Sequence, residues 1–174
     1  MLWPRLARNL ASRPLTERVA AADEAVAQAL AERLRAASRA RLGRSLAVRQ
    51  VDAGSCNGCE LEIHMLSGVV YDLERYGLSI VASPRHADVL LVTGPVTRNL
   101  AQALAATHAA TPDPKWVVAL GDCAADGGVF KGSAAVVGGV ADVVPVDLLI
   151  PGCPPPPARI LEGLLALLEA EAEG

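Results

Sequence analysis

Five short apolar runs, at residues 46–51, 78–81, 89–92, 116–120 and 147–150, recur along this chain with turn residues behind them. The central two, Val89-Leu90-Leu91-Val92 and Trp116-Val117-Val118-Ala119-Leu120, contain no charged or amide side chain. A strand that is apolar at every position has both faces buried, which is the pattern of a parallel sheet covered by helices on both sides. Helical patterns are expected at about 60–76, 97–108 and 158–171, with Gly77 placed to stop the first. Strands and helices in alternation specify an α/β class fold. The stretch 124–141 is rich in glycine and is expected to be irregular.

The chain has four cysteines, and each lies just past the carboxyl end of an expected strand. Cys56 and Cys59 share the turn Gly54-Ser55-Cys56-Asn57-Gly58-Cys59-Glu60. Cys123 lies in Gly121-Asp122-Cys123-Ala124, and Cys153 in Pro151-Gly152-Cys153-Pro154. Open α/β sheets place their ligands in that crevice, so thiols 64 and 30 residues apart (59 to 123, then 123 to 153) are expected to converge on one point. Two residues between Cys56 and Cys59 is a common chelate spacing in zinc and iron–sulfur sites. A redox dithiol at this pair would leave Cys123 and Cys153 unexplained. Structural zinc sites draw on two close cysteine pairs. One pair and two single cysteines from three loops suit a larger object, a 4Fe–4S cluster, better than a single zinc ion. Glycines beside the cysteines leave room for backbone N–H groups near cluster sulfurs.

Composition narrows the alternatives. A hydrophobic content of 52% is enough for a real core. No uninterrupted apolar run spans a bilayer, since Asp142 and Asp147 interrupt the most apolar stretch, 136–150. No secretory or twin-arginine signal is recognisable, so a cytoplasmic protein is expected, in which cysteines serve metal or redox chemistry rather than disulfides. Only five aromatics occur (Trp3, Tyr71, Tyr76, Trp116 and Phe130), too few for a single-stranded nucleic-acid platform or a flavin sandwich. No Walker A or dinucleotide-binding glycine pattern is present.

Residues 1–50 carry a charge of +6 and the remainder −9, which together give the net −3. A helix is expected over about 15–43, capped by Thr16 and ended by Gly43, with Arg33, Arg35, Arg39, Arg41 and Arg44 crowding its end. Two units follow from this: a basic N-terminal helical arm, 1–45, and an α/β domain, 46–174. The arm suits an acidic partner or an anionic membrane surface; favourable cations at the carboxyl end of a solvated helix account for the same residues.

Several stretches together resemble one family. They are Val51-Asp52-Ala53-Gly54-Ser55-Cys56-Asn57-Gly58-Cys59-Glu60-Leu61-Glu62-Ile63, Ser83-Pro84-Arg85-His86-Ala87-Asp88-Val89, Pro112-Asp113-Pro114-Lys115-Trp116-Val117, Gly121-Asp122-Cys123 with Gly127-Gly128-Val129-Phe130, Val144-Pro145-Val146-Asp147 and Pro151-Gly152-Cys153-Pro154-Pro155. They resemble the small electron-transfer subunit shared by membrane-bound, energy-converting nickel–iron hydrogenases and by the B subunit of complex I. The resemblance runs from about residue 46 to 168. It implies a flavodoxin-like fold and one 4Fe–4S cluster ligated by Cys56, Cys59, Cys123 and Cys153. Complex I B subunits carry two adjacent cysteines where this chain has C-x-x-C, so the hydrogenase branch, of the formate-hydrogenlyase type, is the nearer one.

On this resemblance the chain is the electron-transfer subunit of an oxidoreductase complex, with little activity alone. It would relay electrons between a nickel–iron hydrogenase large subunit and a ferredoxin-like iron–sulfur subunit. It would sit on the inner face of the cell membrane through partner subunits. The resemblance gives Glu60 a proton-relay role and sets Arg85 and His86 beside the cluster, tuning it. From the residues alone, Glu60 is equally a carboxylate favoured by a helix N-terminus, and His86 a surface histidine. His64 and His108 are expected to be structural, and Asp122 to cap a loop. The alternatives are a complex I-like subunit reducing quinone, and a zinc-stabilised interaction protein. Nucleic acid is not an expected partner.

Overall fold

A computed structural model describes residues 22–170. The expected start of the first helix at Thr16 lies outside the described residues. Helix α1 (Ala22–Leu42) leads into strand β1 (Leu46–Asp52), helix α2 (Gly58–Leu66), β2 (Leu78–Ile80), β3 (Val89–Thr93) and β4 (Val96–Thr97). Helix α3 (Arg98–Ala110), β5 (Trp116–Leu120), α4 (Asp122–Asp126), β6 (Val136–Gly138), β7 (Leu148–Ile150) and α5 (Pro157–Ala170) complete the chain.

The main sheet is five-stranded and parallel, in the order β2-β1-β3-β5-β7. Counted over its own strands this is the 2-1-3-4-5 order of flavodoxin-like folds, with the reversal of winding between β1 and β3. Register is tight across the middle: Val48 pairs with Val89, Leu91 with Val118, and Ala119 with Leu149.

Alternate residues feed two cores. Val48, Val89, Leu91, Val118, Leu120 and Ile150 face α1, α2 and α5, where Leu34, Ile63, Ile160, Leu161 and Leu164 are buried. Leu90, Val92, Val117 and Ala119 face the opposite way, toward Leu104 of α3, Ala124 of α4 and Val140. Every residue of β3 and β5 is buried, which is why these two runs are uninterrupted in the sequence.

Over its described part α1 lies along α5, burying Ala31 and Leu34, while Arg33 pairs with Glu169 at 2.9 Å. Its carboxyl end is tied to the sheet. Arg44 makes two hydrogen bonds to the buried Asp88 carboxylate, at 2.7 and 2.5 Å, and Ala47 N donates to the same group at 2.9 Å. Arg41 lies over the Trp116 ring at 5.7 Å, within cation–π range.

Two segments depart from expectation. The helix expected over 60–76 stops at Leu66, and a separate 3₁₀ turn, Leu73–Tyr76, follows Asp72 in the left-handed region. Gly68, Val69 and Val70 are poor helix formers, and Val69 is wholly exposed, so no burial compensates. Within 124–141, β6 pairs antiparallel with β4 through Val96–Gly138 and Thr97–Val136. A ladder this short leaves no periodicity to read.

Candidate metal centre

The centre is built on the carboxyl rim of the sheet. At the end of β1, the Asp52 carboxylate accepts hydrogen bonds from Gly54 N and Ser55 N, both at 2.8 Å. Those bonds fold the chain back at once, and Ser55 Oγ accepts the next free amide, Asn57 N, at 3.1 Å. Asn57 adopts φ 70°, a region asparagine tolerates better than most residues. From there α2 starts, carrying Cys59 and Glu60 in its first turn.

The loop after β3 presses against this turn. A Cβ on Gly94 would come within 2.4 Å of Ser55 N. Cys123 follows β5 and Cys153 follows β7. Gly121 approaches Cys59 so closely that a Cβ there would sit 2.8 Å from its Sγ, and one on Gly128 would sit 2.9 Å from Cys123 Sγ. The Cys59 thiol donates weakly to Leu120 O, at 3.8 Å.

All four cysteines line one cavity of ≈ 100 Å³, with Ser55, Gly58, Gly94, Asp122, Gly152 and Pro154 completing the wall. Cys56 and Cys153 are exposed and Cys59 and Cys123 half-buried, and none is in a disulfide. Among the described residues, no three histidine, cysteine, aspartate or glutamate side chains are gathered tightly enough to grip a single ion. The thiols instead ring a space. Soft sulfur donors and glycine-lined approaches fit an iron–sulfur cluster.

Electrostatics agree that the sulfurs share a neighbourhood. Burial, followed by the negative charges of Glu60 and of all three other cysteines, pushes the Cys59 thiol up to about 12. Cys123 is also raised, by burial first and then by Cys153. Four thiolates crowded together need positive charge between them, which a bound metal centre supplies.

The sign of the pH effect follows. In the cluster-free chain, folded Cys59 stays protonated to about pH 12, against an ordinary value of 9.0. The resulting stabilisation is complete below pH 9 and is lost as pH rises through 12. For a half-buried group the loss is on the order of 1–2 kcal/mol after solvent screening. Denaturant melts of the cluster-free protein should show this fall, and Cys59→Ala should flatten it. Identical pH profiles for the two proteins would contradict the assignment.

Glu60 is buried, and Thr93 at the end of β3 donates its hydroxyl to Oε1; Oε2 is buried without a hydrogen-bond partner. Arg85 and His86 are not in the cavity wall. They line a groove with Arg41, Arg44 and Asp113, just before the amino end of β3 and so at the opposite edge of the sheet. The expectation that they flank the cluster is therefore corrected. The 81–88 segment returns the chain from the carboxyl end of β2 to the amino end of β3, carrying both residues away from the rim. His64 and His108 sit in the last turns of α2 and α3.

Sequence reasoning missed Asp52, Thr93 and the dual use of Asp122. The last accepts a hydrogen bond from Gly152 N at 2.8 Å. The only signal was a polar residue bordering each apolar run.

Residues 56–167 match the family described as NADH ubiquinone oxidoreductase, 20 kDa subunit. The chain belongs to that family. Members are subunits of oxidoreductase complexes, hydrogenases and NADH-quinone oxidoreductases. The chain is 46% identical over 132 residues to a probable membrane-bound hydrogenase subunit, mbhJ, of Pyrococcus furiosus, covering 76% of this chain and 79% of that protein. It is 44% identical over 150 residues to formate hydrogenlyase subunit 7 of Escherichia coli, covering 84% of this chain and 57% of that one. Among solved structures, a chain of an archaeal membrane-bound sulfane sulfur reductase, a respiratory membrane complex, superposes with TM-score 0.67 at 32% identity. That alignment covers 82% of this chain and 77% of the other. No helix among the described residues is long and apolar enough to cross a membrane, and the relatives come from membrane-bound complexes.

Proposed function

We propose that this member of the 20 kDa subunit family is an electron-transfer subunit holding one 4Fe–4S cluster through Cys56, Cys59, Cys123 and Cys153. The observation that carries the proposal is the single cavity shared by four thiols from three loops. When bound, the cluster would supply reversible one-electron storage. The chain's own work is to hold it. Asp52 and Ser55 shape the Cys56–Cys59 turn, and Gly94, Gly121 and Gly128 keep space clear around the sulfurs.

The partners we infer are a nickel–iron hydrogenase-type large subunit on one side and a ferredoxin-like iron–sulfur subunit on the other. The chain would be peripheral on the inner face of the membrane through further subunits. The 46% identity to a hydrogenase subunit supports this side of the family. Glu60 is the proton-relay candidate: it is buried, follows Cys59 directly, and leaves one carboxylate oxygen unpartnered within the chain.

A second reading, a complex I-like subunit passing electrons to quinone, is favoured by the family description itself. A zinc-only site is disfavoured by thiols that ring a space rather than a point.

Anaerobic purification of the chain with its associated subunits tests all three. Brown protein with iron, sulfide and a reduced-state EPR signal, accompanied by nickel and hydrogen evolution, is the expected result. Quinone-dependent turnover without nickel would move the chain to the second reading. Colourless, zinc-loaded protein would end the cluster proposal.

A further inference from the structure

One residue joins the loops that bear Cys123 and Cys153. Gly152 N donates to Asp122 Oδ1 at 2.8 Å, and Asp122 N donates back to Gly152 O at 2.9 Å. Gly121 N to Ile150 O, at 2.8 Å, carries the β5–β7 pairing up to this point. Asp122 therefore precedes one candidate ligand in the chain and fastens the residue that precedes another. Gly152 is held at φ 144°, where L side chains are rarely found, so the loop depends on what its amide finds.

Asp122 also borders the thiol cavity. Its second carboxylate oxygen has no hydrogen-bond or ion-pair partner among the described residues, so no cation neutralises it within the chain. Its charge already reaches Cys123: after burial and Cys153, it is among the groups that push that thiol up.

We propose that Asp122 is a positioning residue with two separable effects on the cluster site. Its oxygen latches the Cys123 and Cys153 loops together, and its charge opposes reduction of the centre they hold. The proposal rests on the cluster reading above. Reduction adds one electron, from a low-potential donor, to a centre already ringed by four thiolates; no bond is made or broken. A carboxylate on the rim resists that added charge, and a neutral amide in its place does not. One unit charge near a partly solvated centre is worth on the order of tenfold in such an equilibrium.

The test is an EPR-monitored redox titration with mediators, on the full chain purified anaerobically. Iron content and the rate of iron loss to a chelator are measured alongside. Asp122→Asn keeps a carbonyl oxygen for Gly152 N and removes the charge. It should retain iron at the wild-type level and shift one-electron reduction about tenfold, about 59 mV, toward the reduced form. Asp122→Ala should show the same shift and, with the Gly152 amide left unmet, release iron severalfold faster. Asp122→Ser, whose hydroxyl can still accept, should restore slow release if the latch is the cause.

An unchanged potential in Asp122→Asn overturns the role of the charge. Iron release from Asp122→Ala at the wild-type rate overturns the latch. Loss of the cluster from the asparagine and serine variants alike overturns the separation of the two effects. A wild-type chain that binds no iron refutes the cluster reading itself and takes this inference with it, an outcome distinct from the others.

Discussion

Replacing Cys123 by serine is expected to empty the chain of iron while leaving its sheet folded. Outer-shell partners of a metal site typically contribute 10–100-fold in affinity. Removing a soft thiolate ligand should therefore cost more than about 100-fold, and a serine hydroxyl is too hard and too basic an oxygen to replace it. The fold should barely respond. Cys123 is half-buried on the rim and belongs to neither hydrophobic core, so the change in stability should stay within about 0.5 kcal/mol. Iron analysis and the reduced-state EPR signal check the first half, and a urea melt of the cluster-free proteins checks the second. Full iron occupancy in Cys123→Ser would remove this residue from the ligand set, and with it the four-thiol account.

Gly121→Ala should come next in size. Two effects coincide at this position. The backbone sits at φ +92°, costly for any residue with a side chain, and the new methyl carbon would lie 2.8 Å from Cys59 Sγ. Gly132 separates them: it has φ +82° with nothing within 4 Å of where a Cβ would be. Both alanine variants should lose stability on the order of 1–3 kcal/mol from backbone strain. Only Gly121→Ala should also lose iron, severalfold, because Cys59 must move to make room. Equal iron retention in the two variants would show that close packing against Cys59 is irrelevant to the site.

What could be read from the sequence, and what could not, divides along a physical line. Strands β3 and β5 were legible because burial on both faces leaves no polar position in the run. The convergence of the cysteines was legible because parallel strands all end on the same rim. Arg85 and His86 were misplaced for a related reason. Proximity in sequence to a strand does not say which end of it a residue occupies, and the 81–88 segment delivers them to the far edge. The break at Leu66 was hidden by apolar residues that continue into Val69 and Val70 yet find nothing to bury against. The pairs Asp122–Gly152 and Glu60–Thr93 join residues 30 and 33 positions apart. Any of the chain's turn amides or hydroxyls would have been an equal partner on paper.

The sheet order sets a timetable for maturation. β7, with Cys153 directly behind it, is an edge strand laid against β5, and Val117 N and Asp147 Oδ2 stitch the pair at 2.7 Å. A nascent polypeptide still short of residue 153 can offer three thiols but cannot close the ring. Iron insertion thus waits until translation has nearly finished and the last strand has docked, so a truncated or stalled product leaves the ribosome without a stable hold on metal.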